Sequence, residues 1–256
     1  MITIGNVRLD NGIPKICVPI VGRTAAELTQ ECRYLRDKIY DVVELRIDFL
    51  SDVENLDAVG AALDEVRKEL PDSALLFTFR TKEEGGETNV SEDYYFELIR
   101  YAVNSGRVDA VDVEYFRSAA KIKETVELAN KAGVTVVMSN HDFEKTPSFT
   151  EISDRLIGMK ERGADVAKRE GYQYAKLACM PRSAKDVLTL LSATENVKSL
   201  YPDEPLITMS MGKLGAVSRI SGEIFGSAMT FGSAKKASAP GQIEVTALQK
   251  ILEILH

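Results

Sequence analysis

A lysine set inside the apolar run Tyr174-Ala175-Lys176-Leu177-Ala178-Cys179-Met180-Pro181 is the residue of this chain that most asks for a chemical reason. A run of this length ended by proline reads as a strand covered on both faces of a parallel sheet, where an ammonium group is costly. Burial disfavours the charged form of a lysine, and a neutral amine can attack a carbonyl carbon to form a Schiff base. The plain alternative is a lysine at a strand end whose stem is covered and whose head reaches water. Histidine is scarce, with only His141 and the terminal His256. His141 stands in Ser139-Asn140-His141-Asp142-Phe143, just past a strand-like run. A histidine there is either a satisfied structural residue or, beside a buried lysine, a group suited to proton transfer near neutral pH.

Other polar residues fall at comparable places. Glu44-Leu45-Arg46-Ile47-Asp48 closes a strand-like run, and alternation puts Glu44, Arg46 and Asp48 on one face. That face is either an internal ion-pair cluster or part of a binding site. Arg80-Thr81 precedes Lys82-Glu83-Glu84-Gly85-Gly86, whose paired glycines permit a tight turn that would carry Glu84 back over the site. Arg219 and the segment Ser238-Ala239-Pro240-Gly241-Gln242 come late in the chain. A guanidinium is a bidentate receptor for a carboxylate, and loop Ser and Gln side chains can bond its oxygens or nearby hydroxyls. The set suits a small, polar, anionic substrate.

These residues need a scaffold that gathers strand ends. Strand patterns occur at Ile16–Ile20, Val42–Ile47, Ala74–Phe79, Ala110–Val113, Val134–Met138, Tyr174–Met180, Leu206–Met209 and Ser227–Phe231. Helical patterns alternate with them at Thr24–Tyr40, Val53–Glu69, Glu92–Asn104, Ala119–Lys131, Glu151–Arg162, Lys185–Thr194, Ala216–Ile224 and Ile243–Leu255. Ser91, Ser183 with Asp186, and Thr146-Pro147 supply helix starts. Eight such βα units predict an α/β fold, a (β/α)8 TIM barrel, over a single domain of residues 1–256, with a doubly wound open sheet as the alternative. Reactive groups of a barrel lie at the carboxyl ends of its strands, where the polar residues above fall. The alternation in Ile2–Lys15, with the turn signal Asp10-Asn11-Gly12, predicts a short N-terminal hairpin. Lys82–Asn89 and Gly232–Gln242 read as mobile loops.

Composition narrows the partners. The chain has 256 residues, 45% hydrophobic and 28% charged, with a net charge of −7. That acidic balance, without a basic stripe, argues against nucleic acid. No apolar run of spanning length and no signal segment at the N-terminus argue against a membrane and for the cytoplasm. Cys17, Cys32 and Cys179 are too few and too scattered for a disulfide framework, and two histidines cannot build a His-rich metal cluster.

In family order, Glu44-Leu45-Arg46, Arg80-Thr81 with Glu84-Gly85-Gly86, Ser139 to Phe143, Ile207-Thr208-Met209-Ser210-Met211, Ser218-Arg219 with Gly222-Glu223, and Ser238 to Gln242 resemble the motifs of type I 3-dehydroquinate dehydratase, a Schiff-base enzyme of the shikimate pathway. The resemblance implies a barrel, a homodimer and no metal or organic cofactor. It implies that the strand lysine forms an imine with the ketone of 3-dehydroquinate, that His141 moves the proton, and that Glu84 orients the imidazole. It further implies that Arg219 holds the substrate carboxylate under Ser238 and Gln242, that Glu44, Arg46 and Arg80 bind ring hydroxyls, and that the product is 3-dehydroshikimate.

The resemblance breaks at one place. After Gly163-Ala164-Asp165-Val166-Ala167-Lys168, eight residues, Arg169 to Lys176, stand where the family pattern runs directly on. Ala-Lys occurs at both edges, so Lys168 and Lys176 compete for the role. Continuity with Leu177-Ala178-Cys179-Met180 favours Lys176. The alternatives are another Schiff-base barrel such as an aldolase, with a phosphate held near Gly222–Gly232, and a noncatalytic barrel inactivated by the insertion.

Overall fold

The computed structural model of the protein describes residues 3–10, 12–164, 173–234 and 238–256. Strands β1 (Thr3–Ile4) and β2 (Val7–Arg8) form an antiparallel hairpin. Its turn is at Gly5, with φ of 57°, rather than at Asp10-Asn11-Gly12, because the short ladder pairs Ile4 with Val7 and leaves Leu9 to the core. Asn11 lies outside the described residues.

Eight parallel strands then follow in order: β3 (Lys15–Ile20), β4 (Val42–Arg46), β5 (Ala74–Thr78), β6 (Ala110–Glu114), β7 (Thr135–Asp142), β8 (Gln173–Cys179), β9 (Leu206–Ser210) and β10 (Met229–Ser233). From β3 to β9 each neighbour in sequence is a neighbour in the sheet, and β10 returns to pair with β3. The last seam, β9 to β10, is bridged at Leu206 and Ser227. There the Ala228 N–H donates to the Leu206 carbonyl at 2.8 Å, and beyond it the Ser227 hydroxyl accepts from the Thr208 N–H at 2.9 Å and lies 3.1 Å from the Thr208 carbonyl, so a side chain carries the backbone pairing on. The expected barrel is therefore the observed architecture.

Side-chain alternation divides the core in two. Val43 and Leu45, Leu75 and Phe77, Val111 and Val113, and Leu177 and Cys179 point outward into the layer under the helices. Val42, Leu76, Ala110, Val137, Tyr174 and Ile207 point inward and fill the lower barrel. Two residues further along the same strands, the inward positions are Glu44, Thr78, Asp112, Ser139 and Lys176, all buried. A one-residue slip would turn these charges outward under the helices, so the apolar pattern fixes the polar layer as well.

The covering helices are α1 (Ala25–Leu35), α2 (Leu56–Glu69), α3 (Glu92–Asn104), α4 (Ala119–Ala132), α5 (Phe149–Ala164), α6 (Ala184–Leu200), α7 (Ala216–Ile220), α8 (Gly222–Phe225) and α9 (Val245–Leu255). Ser91 caps α3, and Ser183 with Asp186 forms a reciprocal capping box on α6. At α5 the start is Ser148 rather than Thr146-Pro147, because Ser148 and Glu151 bond each other's backbone N–H groups at 3.3 and 2.8 Å. The helical pattern read over Ala216–Ile224 breaks at Ser221, where the Ser221 hydroxyl turns back to the Val217 carbonyl. Ile243–Glu244 is not helical but a strand, β11, added beside the end of β10.

Lys82–Asn89 is tied down rather than loose. A 3-10 turn spans Lys82–Glu84, Thr81 bridges Thr88, and the Glu87 N–H and Thr88 hydroxyl bond Asp48.

Ser227→Ala should lower stability by about 1–3 kcal/mol, because it leaves a buried amide and carbonyl of Thr208 without partners at the seam. Urea unfolding measures this, and an unchanged midpoint would show that the seam closes without the hydroxyl.

Candidate active site

Glu44 on β4, Asp112 on β6, Lys176 on β8 and Phe231 on β10 form one layer built from alternate strands, the packing that fills barrels of this size. The Lys176 ammonium lies 3.2 Å from Asp112 Oδ2 and 3.5 Å from Glu44 Oε1, and 4.6 Å from the centre of the Phe231 ring. The lysine is only 3% exposed and does not reach out to water. Two carboxylates and an aromatic face compensate its burial.

Above that layer, Arg80 gathers the acids. Its guanidinium touches Asp112 at 2.8 Å, Glu114 at 3.0 Å and Glu84 at 3.5 Å, and donates to the Ser139 hydroxyl at 3.0 Å. Glu84 is brought here by the turn that follows it. Gly85 has φ of 84° and lies under the Phe143 ring, and a Cβ on Gly86 would run into the Arg80 carbonyl. Glu84 Oε2 accepts the backbone N–H of His141 at 2.9 Å and faces its Nδ1 at 3.0 Å, while Oε1 accepts from Asn140 Nδ2 at 3.1 Å. With Glu84 Oε2 as the acceptor, the imidazole carries its hydrogen on Nδ1 and has Nε2 left for the cleft.

Burial and the anions Glu114 and Asp112 push the Glu84 carboxyl up to about 8, against the opposing effects of Arg80 and the Asn140 hydrogen bond. Burial and the cations Arg80, Lys176 and Arg46 push His141 well below the usual imidazole range. At neutral pH the imidazole is therefore uncharged and able to accept a proton.

Arg46 and Asp48 form a buried bidentate pair, with both contacts at 2.8 Å. Asp48 also accepts the backbone N–H of Arg80 and of Glu87, so its work is to fasten the Arg80–Glu84 turn to the end of β4. Arg219 is different. It is 1% exposed, donates to the Pro240 carbonyl at 3.0 Å and lies 3.7 Å from the Met209 sulfur, and among the described residues no carboxylate pairs with it. Desolvation alone lowers it to about 10. Ser238 and Gln242 bond each other through Ser238 N to Oε1 at 2.8 Å and Nε2 to Oγ at 3.0 Å, and so close the loop around Pro240. Part of the segment read as a loose loop, residues 235–237, lies outside the described residues.

Glu44, Arg46, Arg80, Glu84, His141, Lys176, Arg219, Ser238 and Gln242 all line one cleft, walled by Met209, Met211 and Phe231. Lys168 and Arg169 to Tyr172 lie outside the described residues, while Gln173 begins β8. Sequence reasoning missed Asp112 and Glu114. The signal was present, since Val111-Asp112-Val113-Glu114 repeats the alternation of Val43-Glu44-Leu45-Arg46. The Gly222–Gly226 turn packs against Pro14 and Ser227 at the amino-terminal end of β10, the wrong end for a phosphate in this cleft. Among the described residues no cluster of three or more His, Cys, Asp or Glu could hold a metal ion, and no helix is long and apolar enough to cross a membrane. The three cysteines are free and buried.

The family described as type I 3-dehydroquinase matches residues 16–256. A 3-dehydroquinate dehydratase of Listeria monocytogenes serotype 4a is 52% identical over 255 residues, covering 100% of this chain and 98% of the relative. Among solved structures, a type I 3-dehydroquinate dehydratase from Clostridium difficile with covalent modified comenic acid superposes with a TM-score of 0.93 at 46% identity, covering 100% of this chain and 97% of that one. A 3-dehydroquinate dehydratase from Enterococcus faecalis gives 0.90 at 39% identity, with both chains covered in full.

The raised Glu84 carboxyl has a consequence for stability. Its value rises from 4.5 to about 8 on folding, so the wild type loses stability as the pH climbs through that window. Glu84→Gln should therefore gain stability relative to wild type between about pH 5 and pH 8. Urea unfolding at a series of pH values measures the difference, and a constant offset would mean that the carboxyl titrates in its ordinary range.

Proposed function

The chain belongs to the type I 3-dehydroquinase family, and from that premise we propose that Lys176 is its Schiff-base lysine, with His141 as proton carrier. The protein is a lyase that dehydrates 3-dehydroquinate to 3-dehydroshikimate. One observation carries the assignment of residues: a buried amine, an imidazole with a free Nε2 and a guanidinium without a carboxylate share one cleft.

In this reading the Lys176 ammonium passes one proton to His141, the amine so formed attacks the substrate ketone, and that proton returns to the carbonyl oxygen, which leaves as water and gives a protonated imine. The imine withdraws electrons from the adjacent carbon, whose proton passes to His141 Nε2. The electron pair released expels the hydroxyl of the next carbon, which departs with a proton as water. Glu84 fixes the imidazole through Nδ1 and so aims Nε2. Hydrolysis of the imine by a second water frees the product and restores the amine. Arg219 receives the substrate carboxylate, with Ser238 and Gln242 closing over it, and Glu44, Arg46 and Arg80 take the ring hydroxyls. The covalent modified comenic acid in the C. difficile relative accords with covalent chemistry in such a site. A homodimer in the cytoplasm, working without metal or organic cofactor, completes the proposal.

Borohydride added with 3-dehydroquinate should fix one adduct on Lys176, located by mass spectrometry of peptides. Lys176→Ala should abolish the adduct and turnover, whereas Lys168→Ala should keep both. The opposite pattern would transfer the role to Lys168, and full turnover by an untrappable wild type would exclude the Schiff base.

Arg219→Ala should raise KM by roughly 10–10²-fold, the loss of a charge-assisted contact, with a smaller effect on kcat. Steady-state kinetics decides this. An unchanged KM would remove Arg219 from carboxylate binding.

A further inference from the structure

Two carboxylates meet the Lys176 nitrogen, Asp112 at 3.2 Å and Glu44 at 3.5 Å, yet chemistry on that nitrogen leaves room for only one of them. An ammonium and a ketone give a protonated imine and one water. The positive charge stays on nitrogen, while two of its three hydrogens leave with the carbonyl oxygen. A nitrogen that donated to two carboxylates has a single N–H once the imine has formed.

We propose that Asp112 is the counter-ion that stays with this nitrogen from amine to protonated imine, while Glu44 gives it up and turns to the substrate. The inference rests on the Schiff-base reading of Lys176. Asp112 is held in place through its other oxygen, Oδ1, which pairs with the charge of Arg80 Nη2 at 2.8 Å and accepts from the Ser139 hydroxyl at 2.6 Å. Those contacts leave Oδ2 aimed at the lysine. Asp112 is 0% exposed and is not among the residues that line the cleft, so it has no route to a substrate hydroxyl. Glu44 does line the cleft, and its Oε1 is already shared with the Thr78 hydroxyl at 2.9 Å. When the nitrogen can no longer donate to both, the longer contact is the one to break.

The division of labour follows from the charge. A protonated imine is the electron sink of the reaction, and a fixed anion that cannot be drawn away by substrate keeps the proton on that nitrogen through elimination. Arg80 holds Asp112 in register, and the Phe231 face covers the other side of the cation. Asp112 thus acts on the chemical step, and Glu44 on binding.

The test begins with wild type, where borohydride trapping decides the Schiff-base reading by itself. In enzyme that traps, Asp112→Asn should lower kcat by roughly 10²-fold or more, as loss of a preorganised charge partner does, while KM stays within about threefold. A trappable adduct should then accumulate in rapid-quench experiments, because elimination slows more than imine formation. Glu44→Gln should show the other split, with KM raised more than kcat falls. Wild-type kcat in folded Asp112→Asn, or the two splits exchanged, would overturn the proposal. Should Asp112→Asn not fold, a crystal structure of the reduced wild-type adduct answers instead. Nζ within hydrogen-bond reach of Asp112 with Glu44 on a ring hydroxyl supports the proposal, and Nζ on Glu44 alone refutes it.

Discussion

The cost of keeping charges out of water governs this molecule. Inside one barrel mouth the fold buries Glu44, Asp48, Glu84, Asp112 and Glu114 together with Arg46, Arg80, Lys176 and Arg219. A buried charge without a partner is worth several kcal/mol of destabilisation, so each must be met. Arg80 solves most of the problem, since its planar fork touches Asp112, Glu114 and Glu84 at once. Remove that cation from the picture and three carboxylates face one another with only the edge of Arg117 and the Lys176 ammonium to divide between them.

Such a cluster can be assembled because a closed parallel sheet sends every second side chain to one axis. The lower inward positions are apolar and pack solidly, which fixes the register of each strand. The upper inward positions then have no freedom of direction. Loops supply what strands cannot: the Gly85-Gly86 turn returns Glu84 to His141, and Asp48 pins that turn from the neighbouring strand. Positions on rigid strands hold the lysine and its carboxylates, while loop segments present Glu84, Ser238 and Gln242 around the rim.

Much of this was legible in the chain. The apolar alternation located all eight barrel strands, and the polar residues at strand ends converge on a common cleft. What escaped had specific causes. Asp112 and Glu114 sit in a strand whose apolar residues were read as its whole content, although their spacing is that of Glu44 and Arg46. His141 was placed beyond its strand, but pairing with β8 carries the ladder on to Asp142 opposite Cys179. The segment Lys82–Asn89 read as mobile, but only the tight turn that its paired glycines also signalled is present, and there the absence of a Cβ allows a close approach to Phe143 and Arg80. The pairing of Lys176 with two acids is a cross-barrel relation between β4, β6 and β8, and no local pattern encodes it.

The same electrostatic constraint bears on how an anion enters. Five buried acids, Glu44, Asp48, Glu84, Asp112 and Glu114, share the mouth with four buried cations, Arg46, Arg80, Lys176 and Arg219, so it is the distribution of charge and not its sum that can draw in an anion. The acids crowd the side of the mouth around Arg80, and Arg219 stands apart from them against a methionine sulfur and a backbone carbonyl. Its charge is unspent in the closed balance of the others. In the proposed reading a carboxylate that docks there pairs the guanidinium that burial has weakened, so an incoming anion is directed to Arg219 rather than to the cations already held by acids.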